Sequence, residues 1–151
     1  MKKTILILAA IFIANNIFSQ DLDSLLNETI NSVNKVLVDS GEESLKIDTG
    51  VFRKASQDDL MLWENDKNYV VDLIEFSEQY GVVIPCIKFA SGTNKHELVT
   101  KIVKIIKDGH FNKSSRILDF GFAITMHGNY YYINIVIGYP GDIKKTCYYK
   151  E

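Results

Sequence analysis

The chain has 151 residues, with 19 acidic and 17 basic side chains and a formal net charge of −2. That balance argues against a nucleic-acid partner, which usually calls for a concentrated basic surface. The length bounds the chain to a single domain, large enough for a core of two or three layers.

Met1-Lys2-Lys3 precedes an apolar run from Ile5 to Ile13, and Asn15-Asn16-Ile17-Phe18-Ser19-Gln20 separates that run from the first acid, Asp21. A basic start, a short apolar middle and a small residue at the end follow the order of a secretory signal peptide. The run falls short of the roughly 20 apolar residues that a membrane-spanning helix needs. Cleavage is expected after Ser19 or Gln20, which gives a signal peptide over residues 1–19 and one domain over 20–151, secreted or periplasmic. The alternatives are an uncleaved anchor and a buried first helix. No cysteine follows the run to accept a lipid. Losing 1–19 removes two lysines and no acid, so the mature charge becomes about −4. No linker, repeat or low-complexity stretch divides the rest, and its prolines are Pro85 and Pro140.

Cys86 and Cys147 both remain after cleavage. In an oxidising compartment such a pair reads as a disulfide. Closing so long a loop is worth roughly 4 kcal/mol in the chain-entropy account. The alternative is two unpaired thiols. No catalytic Cys-His arrangement and no CxxC metal pair is present.

Asp21 can cap a helix whose apolar stripe is Leu22, Leu25, Leu26, Ile30, Val33 and Leu37, ending at Gly41. Thr49 can cap a second helix to about Glu64, with Phe52, Ala55, Leu62 and Trp63 inward and Arg53, Lys54, Asp58 and Asp59 solvated. The segment from Tyr69 to Tyr80 favours a helix through Leu73, Phe76 and Tyr80. Val82 to Phe89 reads as a strand at a sheet edge, because Pro85 cannot donate to a central ladder. Another amphipathic helix is expected from Lys95 to about Lys107, with Leu98, Val99, Ile102, Val103 and Ile106 inward.

The C-terminal half carries the clearest β signal. Ile117 to Met126 and Tyr130 to Tyr139 are apolar runs joined by His127-Gly128-Asn129, a tight hairpin turn. Leu118, Phe120, Phe122, Ile124 and Met126 point to one face, and Asp119, Gly121, Ala123 and Thr125 to the other. On the second strand Tyr131, Ile133, Ile135 and Ile137 oppose Tyr132, Asn134 and Val136. Neither strand has a fully polar face, so helices should cover both sides. The expected fold is α/β, a three-layer α/β/α sandwich around a small antiparallel sheet.

Residues able to carry chemistry are few. His127 lies in the hairpin turn and His96 near the start of a helix, and solvated surface roles suit both. His110, in Asp108-Gly109-His110-Phe111-Asn112, stands where a helix ends before the hairpin, a junction from which a side chain can face a cleft. A structural histidine is the alternative there. Zinc needs three or four converging ligands, and no HExxH or close histidine pair supplies them. Asp58, Asp59, Glu64, Asp66, Asp72, Glu75 and Glu78 fall on expected helix faces, where solvation is the default. GxSxG, P-loop and GxGxxG motifs are absent. Asn27-Glu28-Thr29 fits a glycosylation sequon, a pattern common by chance.

Gly109-His110-Phe111-Asn112, then Phe120-Gly121-Phe122-Ala123-Ile124-Thr125, then Asn129-Tyr130-Tyr131-Tyr132 resembles the end of a CAP domain. CAP is the secreted superfamily of cysteine-rich secretory proteins, antigen five and plant pathogenesis-related proteins. Ile30-Asn31 resembles the opening helix of that family, and Leu45, Asp48, Val51 and Ala55 repeat the spacing of its second helix. The resemblance spans nearly all of the mature chain and implies the same α/β/α sandwich. It also implies a cleft of two histidines and two acids, sometimes holding a divalent metal. In this chain only His110 maps onto that set. The stretch supplying one acid falls near Cys86-Ile87-Lys88-Phe89, where no acid stands, and the place of the other histidine finds Asn65 and Asn68. A tryptophan usual in the helix before Gly-His is replaced by the neighbourhood of Lys104 and Ile105. A metal-binding cleft so depleted implies no metal and no cofactor.

The leading expectation is a secreted CAP-like binding domain, with His110 and Asn112 at the mouth of a vestigial cleft and a small molecule, a lipid or a protein as partner. The rival is a hydrolase of cell-envelope material, with His110 as general base beside Glu97 or Glu64. A third reading is a protein–protein interaction or inhibitor module, since tyrosines such as those of the hairpin and Tyr148-Tyr149 are enriched at interfaces.

Overall fold

The computed structural model describes residues 2–109, 111 and 118–141, with side chains from residue 21 onward. Helix α1 runs without a break over Lys2–Asp39. Asp21 is therefore inside the helix and not its cap, because the Leu-, Ile- and Ala-rich segment before it is itself helix-forming. No helix of the described residues is long and apolar enough to cross a membrane. The helix closes as expected at Gly41, whose φ of 82° is left-handed. Glu42 N–H bonds the Leu37 carbonyl at 2.9 Å and Gly41 N–H that of Val38 at 2.9 Å, the paired bonds of a Schellman stop. Leu26, Ile30, Val33 and Leu37 are buried.

Strand β1 is only Lys46–Ile47, and helix α2 covers Val51–Asn65. Its cap comes from Asp48 and not Thr49: Asp48 Oδ1 accepts from Gly50 N at 3.0 Å and from Phe52 N at 2.8 Å. Phe52 and Ala55 turn inward as expected, but so does Asp59, only 3% exposed. The first turn of α2 rests on bare backbone of the sheet. A Cβ at Gly121 would lie 2.0 Å from the Phe52 carbonyl oxygen, so no larger residue fits.

Helix α3 is Leu73–Tyr80, shorter than the expected segment because Asp72 Oδ1 caps Ile74 N at 2.9 Å and Glu75 N at 3.1 Å. Strand β2, Val82–Gly92, is a sheet edge whose register shifts between Val83 and Cys86, where Pro85 interrupts the ladder. Helix α4 spans Lys95–Asp108. Strands β3, Asp119–His127, and β4, Tyr130–Pro140, form the hairpin, with His127 opposite Tyr130 and Gly128 left-handed in the turn.

The sheet order is β1-β3-β4-β2. All pairings are antiparallel except β1 with β3, so the sheet is mixed where a purely antiparallel one was expected. Two cores cover its faces. Phe120, Phe122, Ile133, Ile135 and Ile137 pack under α1 and α4, while Val136 and Ile84 pack with Phe52 and Ala55 of α2 and Phe76 of α3. The α/β fold is the three-layer α/β/α sandwich that the two-sided apolarity of β3 and β4 implies.

Candidate functional site

Helix α4 returns antiparallel over β2, which brings its C-terminal end to the middle of the strand. There Lys88 of β2 meets Lys104, Ile105, Asp108 and Gly109 around a concavity of about 310 Å³. The Phe111 ring lies so close to Gly109 that a Cβ there would sit 2.1 Å from it, which ties the chain after α4 back onto the helix end. Cys86, two residues before Lys88 on the same strand face, is half-buried against the α1/α4 core. Burial pushes its thiol pKa up, and the Lys88 charge pulls against that shift. His110, Asn112 and Cys147 lie outside the described residues.

Glu97 stands at the opposite end of α4, about 18 Å from Gly109 along the axis at 1.5 Å per residue. Its carboxylate is already engaged. Glu97 Oε2 accepts from Thr93 N at 2.8 Å and from Thr93 Oγ1 at 3.1 Å, while Asn94 Oδ1 accepts from Glu97 N at 3.1 Å. This is a reciprocal cap of the helix start. Those bonds hold the exposed Glu97 carboxyl below the usual carboxylate range.

Glu64 ends α2 beside the hairpin. Its Oε1 accepts from Thr125 Oγ1 at 2.5 Å and lies 3.3 Å from His127 Nε2. His127, read from sequence as a solvated turn residue, is thus half-exposed but partnered. Trp63 gathers rings around this pair: Tyr132 at 5.0 Å, Phe89 at 5.5 Å and His127 at 5.9 Å between centroids. Lys67 Nζ covers the indole at 3.6 Å. Tyr130 is 50% exposed and Phe89 40%, whereas Tyr131 and Tyr132 are half-buried covers of the sheet.

Sequence reasoning missed a buried polar network on the α2 face. Asn134 Nδ2 donates to Asp59 Oδ2 at 2.5 Å, and Ser56 Oγ donates to Asn134 Oδ1 at 2.8 Å. Burial raises the Asp59 carboxyl pKa, and the bond from Asn134 offsets part of that rise. Next to it, Asp58 accepts from Lys54 and from the Tyr80 hydroxyl. Burial opposes the Asp58 charge, but these bonds hold its pKa below the usual range, and burial with Asp58 drives the Tyr80 phenol up. The polar Asn134 amid Ile133, Ile135 and Val136 was the one signal in the sequence. Among the described residues no group of three or more His, Cys, Asp or Glu side chains is placed to hold a metal.

With this geometry established, known proteins offer one structural parallel. The fold is similar to the CAP domain of Enterococcal PrgA. The match has a TM-score of 0.44 at 13% identity and covers 70% of this chain and 56% of that one, so the chain spans little more than half the length of the structure it matches. No protein-family model and no curated protein matches the sequence.

Proposed function

We propose that this chain is an exported CAP-like domain that binds a ligand without transforming it, in the cleft at the end of α4. The observation that carries the reading is the lining of the 310 Å³ concavity. Lys88, in the stretch where the resemblance expects a cleft acid, meets Lys104, Ile105 and Gly109 there, at the helix end that precedes His110. Two lysines and Asp108 line it, and the acids considered for catalysis stand elsewhere: Glu97 caps the far end of α4 and Glu64 sits at the hairpin. A lysine-lined cleft on an acidic protein favours an anionic small molecule or lipid headgroup. His110 and Asn112 belong to its mouth in this reading, and a Cys86–Cys147 disulfide would hold the C-terminal tail against the same region.

Zinc titration of the oxidised mature domain by calorimetry, wild type against His110→Ala, tests the non-metal half of the proposal. Absence of stoichiometric binding in both is the expected result. Stoichiometric binding that disappears in the variant would replace the proposal by the hydrolase reading. Flotation with phosphatidylglycerol and phosphatidylcholine vesicles, wild type against Lys88→Ala/Lys104→Ala, tests the ligand half. Equal binding to the two lipids would remove the anionic ligand.

A further inference from the structure

The two edges of the sheet are built differently. The β2 edge carries Pro85, a register shift and Lys88, the devices by which proteins keep an edge from pairing. The β3 edge carries none of them: its register with β4 is unbroken from Asp119 to His127, without proline or lysine. β1 pairs it only at Asp119 and Phe120. Asp48 N donates to the Phe120 carbonyl at 3.0 Å, so the backbone groups of Phe120 face this edge. By the alternation of an antiparallel ladder, the N–H and C=O of Phe122, Ile124 and Met126 face it too. Among the described residues nothing pairs with them, although Phe122 is buried.

A groove of about 210 Å³ runs along that stretch, floored by residues 122–125. One wall is the α2 stripe Arg53, Gln57, Leu60, Met61 and Glu64, and the other is Asp23 and Leu26 of α1. Arg53 and Asp23 meet at 3.2 Å across one end. Both side chains are partly solvated, so the pair opens readily.

We infer that the β3 edge from Phe122 to Met126 is a binding site for one extended peptide segment of a partner protein, taken up by strand addition and apolar at its centre, with a cationic side chain where it passes Glu64. Unpaired backbone donors and acceptors aimed into a groove, those of buried Phe122 and half-buried Ile124 and Met126, are satisfied when an added strand supplies partners. Because the edge is recessed between α1 and α2, two copies cannot bring their β3 edges together without their helices colliding. A lone strand enters. Met61, about half exposed, and Leu60 offer its side chains an apolar wall, and the Glu64 carboxylate, the acid at the hairpin end, supplies the charge complement. This site is separate from the α4 cleft and does not depend on it.

The test is selection from a phage-displayed library of random seven-residue peptides on the full chain, with Ile124→Pro as counter-target. Enriched peptides are expected to be apolar with one Lys or Arg, and to lose at least tenfold in affinity on Ile124→Pro. Glu64→Gln should weaken them about threefold. Should Ile124→Pro fail to fold by circular dichroism, N-methylation of single peptide amides gives a second readout. Alternate positions should lose binding and the intervening ones keep it, since only one side of an added strand meets the edge. No enrichment over the counter-target, or indifference to N-methylation, overturns the inference. So does a dimer in sedimentation that Ile124→Pro converts to monomer, or peptide binding that appears only after deletion of residues 142–151.

Discussion

Asn134 Nδ2 donates to Asp59 Oδ2 across 2.5 Å with both side chains buried, and no cation stands against that carboxylate among the described residues. The carboxyl pKa is raised by burial, so the folded state holds its proton more tightly than the unfolded chain, which titrates near 3.9. Stability from this group is fully present below the unfolded value and falls as pH climbs through the raised folded value. Asp59→Asn keeps a partner for Asn134 and removes the titration. Urea midpoints measured from pH 4 to 7 should fall less in the variant than in wild type, with the variant at least as stable at pH 7. Asn134→Ala, which leaves Asp59 without its buried donor while Ser56 Oγ keeps the backbone carbonyl of residue 134 at 3.0 Å, should cost about 1–3 kcal/mol.

Gly121→Ala should be among the most damaging single changes in the sheet. The new methyl would lie 2.0 Å from the Phe52 carbonyl oxygen, backbone that moves only if α2 lifts from β3. A loss of about 3 kcal/mol is expected in guanidinium unfolding, at the upper end of overpacking costs. Gly128→Ala in the hairpin turn, where the demand is only a φ of 59°, should cost about 1–2 kcal/mol.

Glu97 is expected to act on the fold of α4. Its carboxyl is held below the usual range by Thr93, so its contribution is present above the ordinary carboxylate pKa and is lost as pH falls through the lowered one. Glu97→Gln should lower the thermal midpoint at pH 7 and match wild type at strongly acid pH. Asn94→Ala, which removes the other half of the cap, should cost about 1 kcal/mol.

The proposed Cys86–Cys147 bridge has a direct readout. The intact mass of the exported protein should lack two hydrogens, and a tryptic peptide should join the two cysteines. Cys86→Ser should then lower stability by roughly 4 kcal/mol through the loop it no longer closes. Two alkylatable thiols in the native exported protein would remove the bridge from the account.

Much of the fold was legible because its signals are local. The Leu26, Ile30, Val33, Leu37 stripe and the Gly41 stop fix most of α1, and α4 ends at Asp108, within a residue of the expected Lys107. Pro85 marks the edge strand because a missing N–H has one consequence wherever it occurs. Gly128-Asn129 sets the hairpin, and the two apolar faces of β3 and β4 imply helices on both sides. Local signals also misled. Thr49 yielded its cap to Asp48, whose carboxylate reaches two amides, and Asp21 was absorbed by the helix preceding it. The site was less legible than the fold, because nothing local to Lys88 or Glu97 says that one faces the end of α4 and the other caps its beginning.

The sequence by itself determined the class of the fold, the hairpin, and which strand would lie at a blunted edge, since periodicity, turn conformation and proline chemistry act over a few residues. Only the tertiary structure decided that Asp59 is buried against Asn134, that Glu64 meets His127, that β1 joins in parallel, and that among the described residues nothing pairs with the β3 edge between α1 and α2. These relationships join residues far apart in the chain, 75 positions for Asp59 and Asn134. Burial and hydrogen-bond partnership between such residues depend on how the layers stack, and no local pattern encodes that stacking.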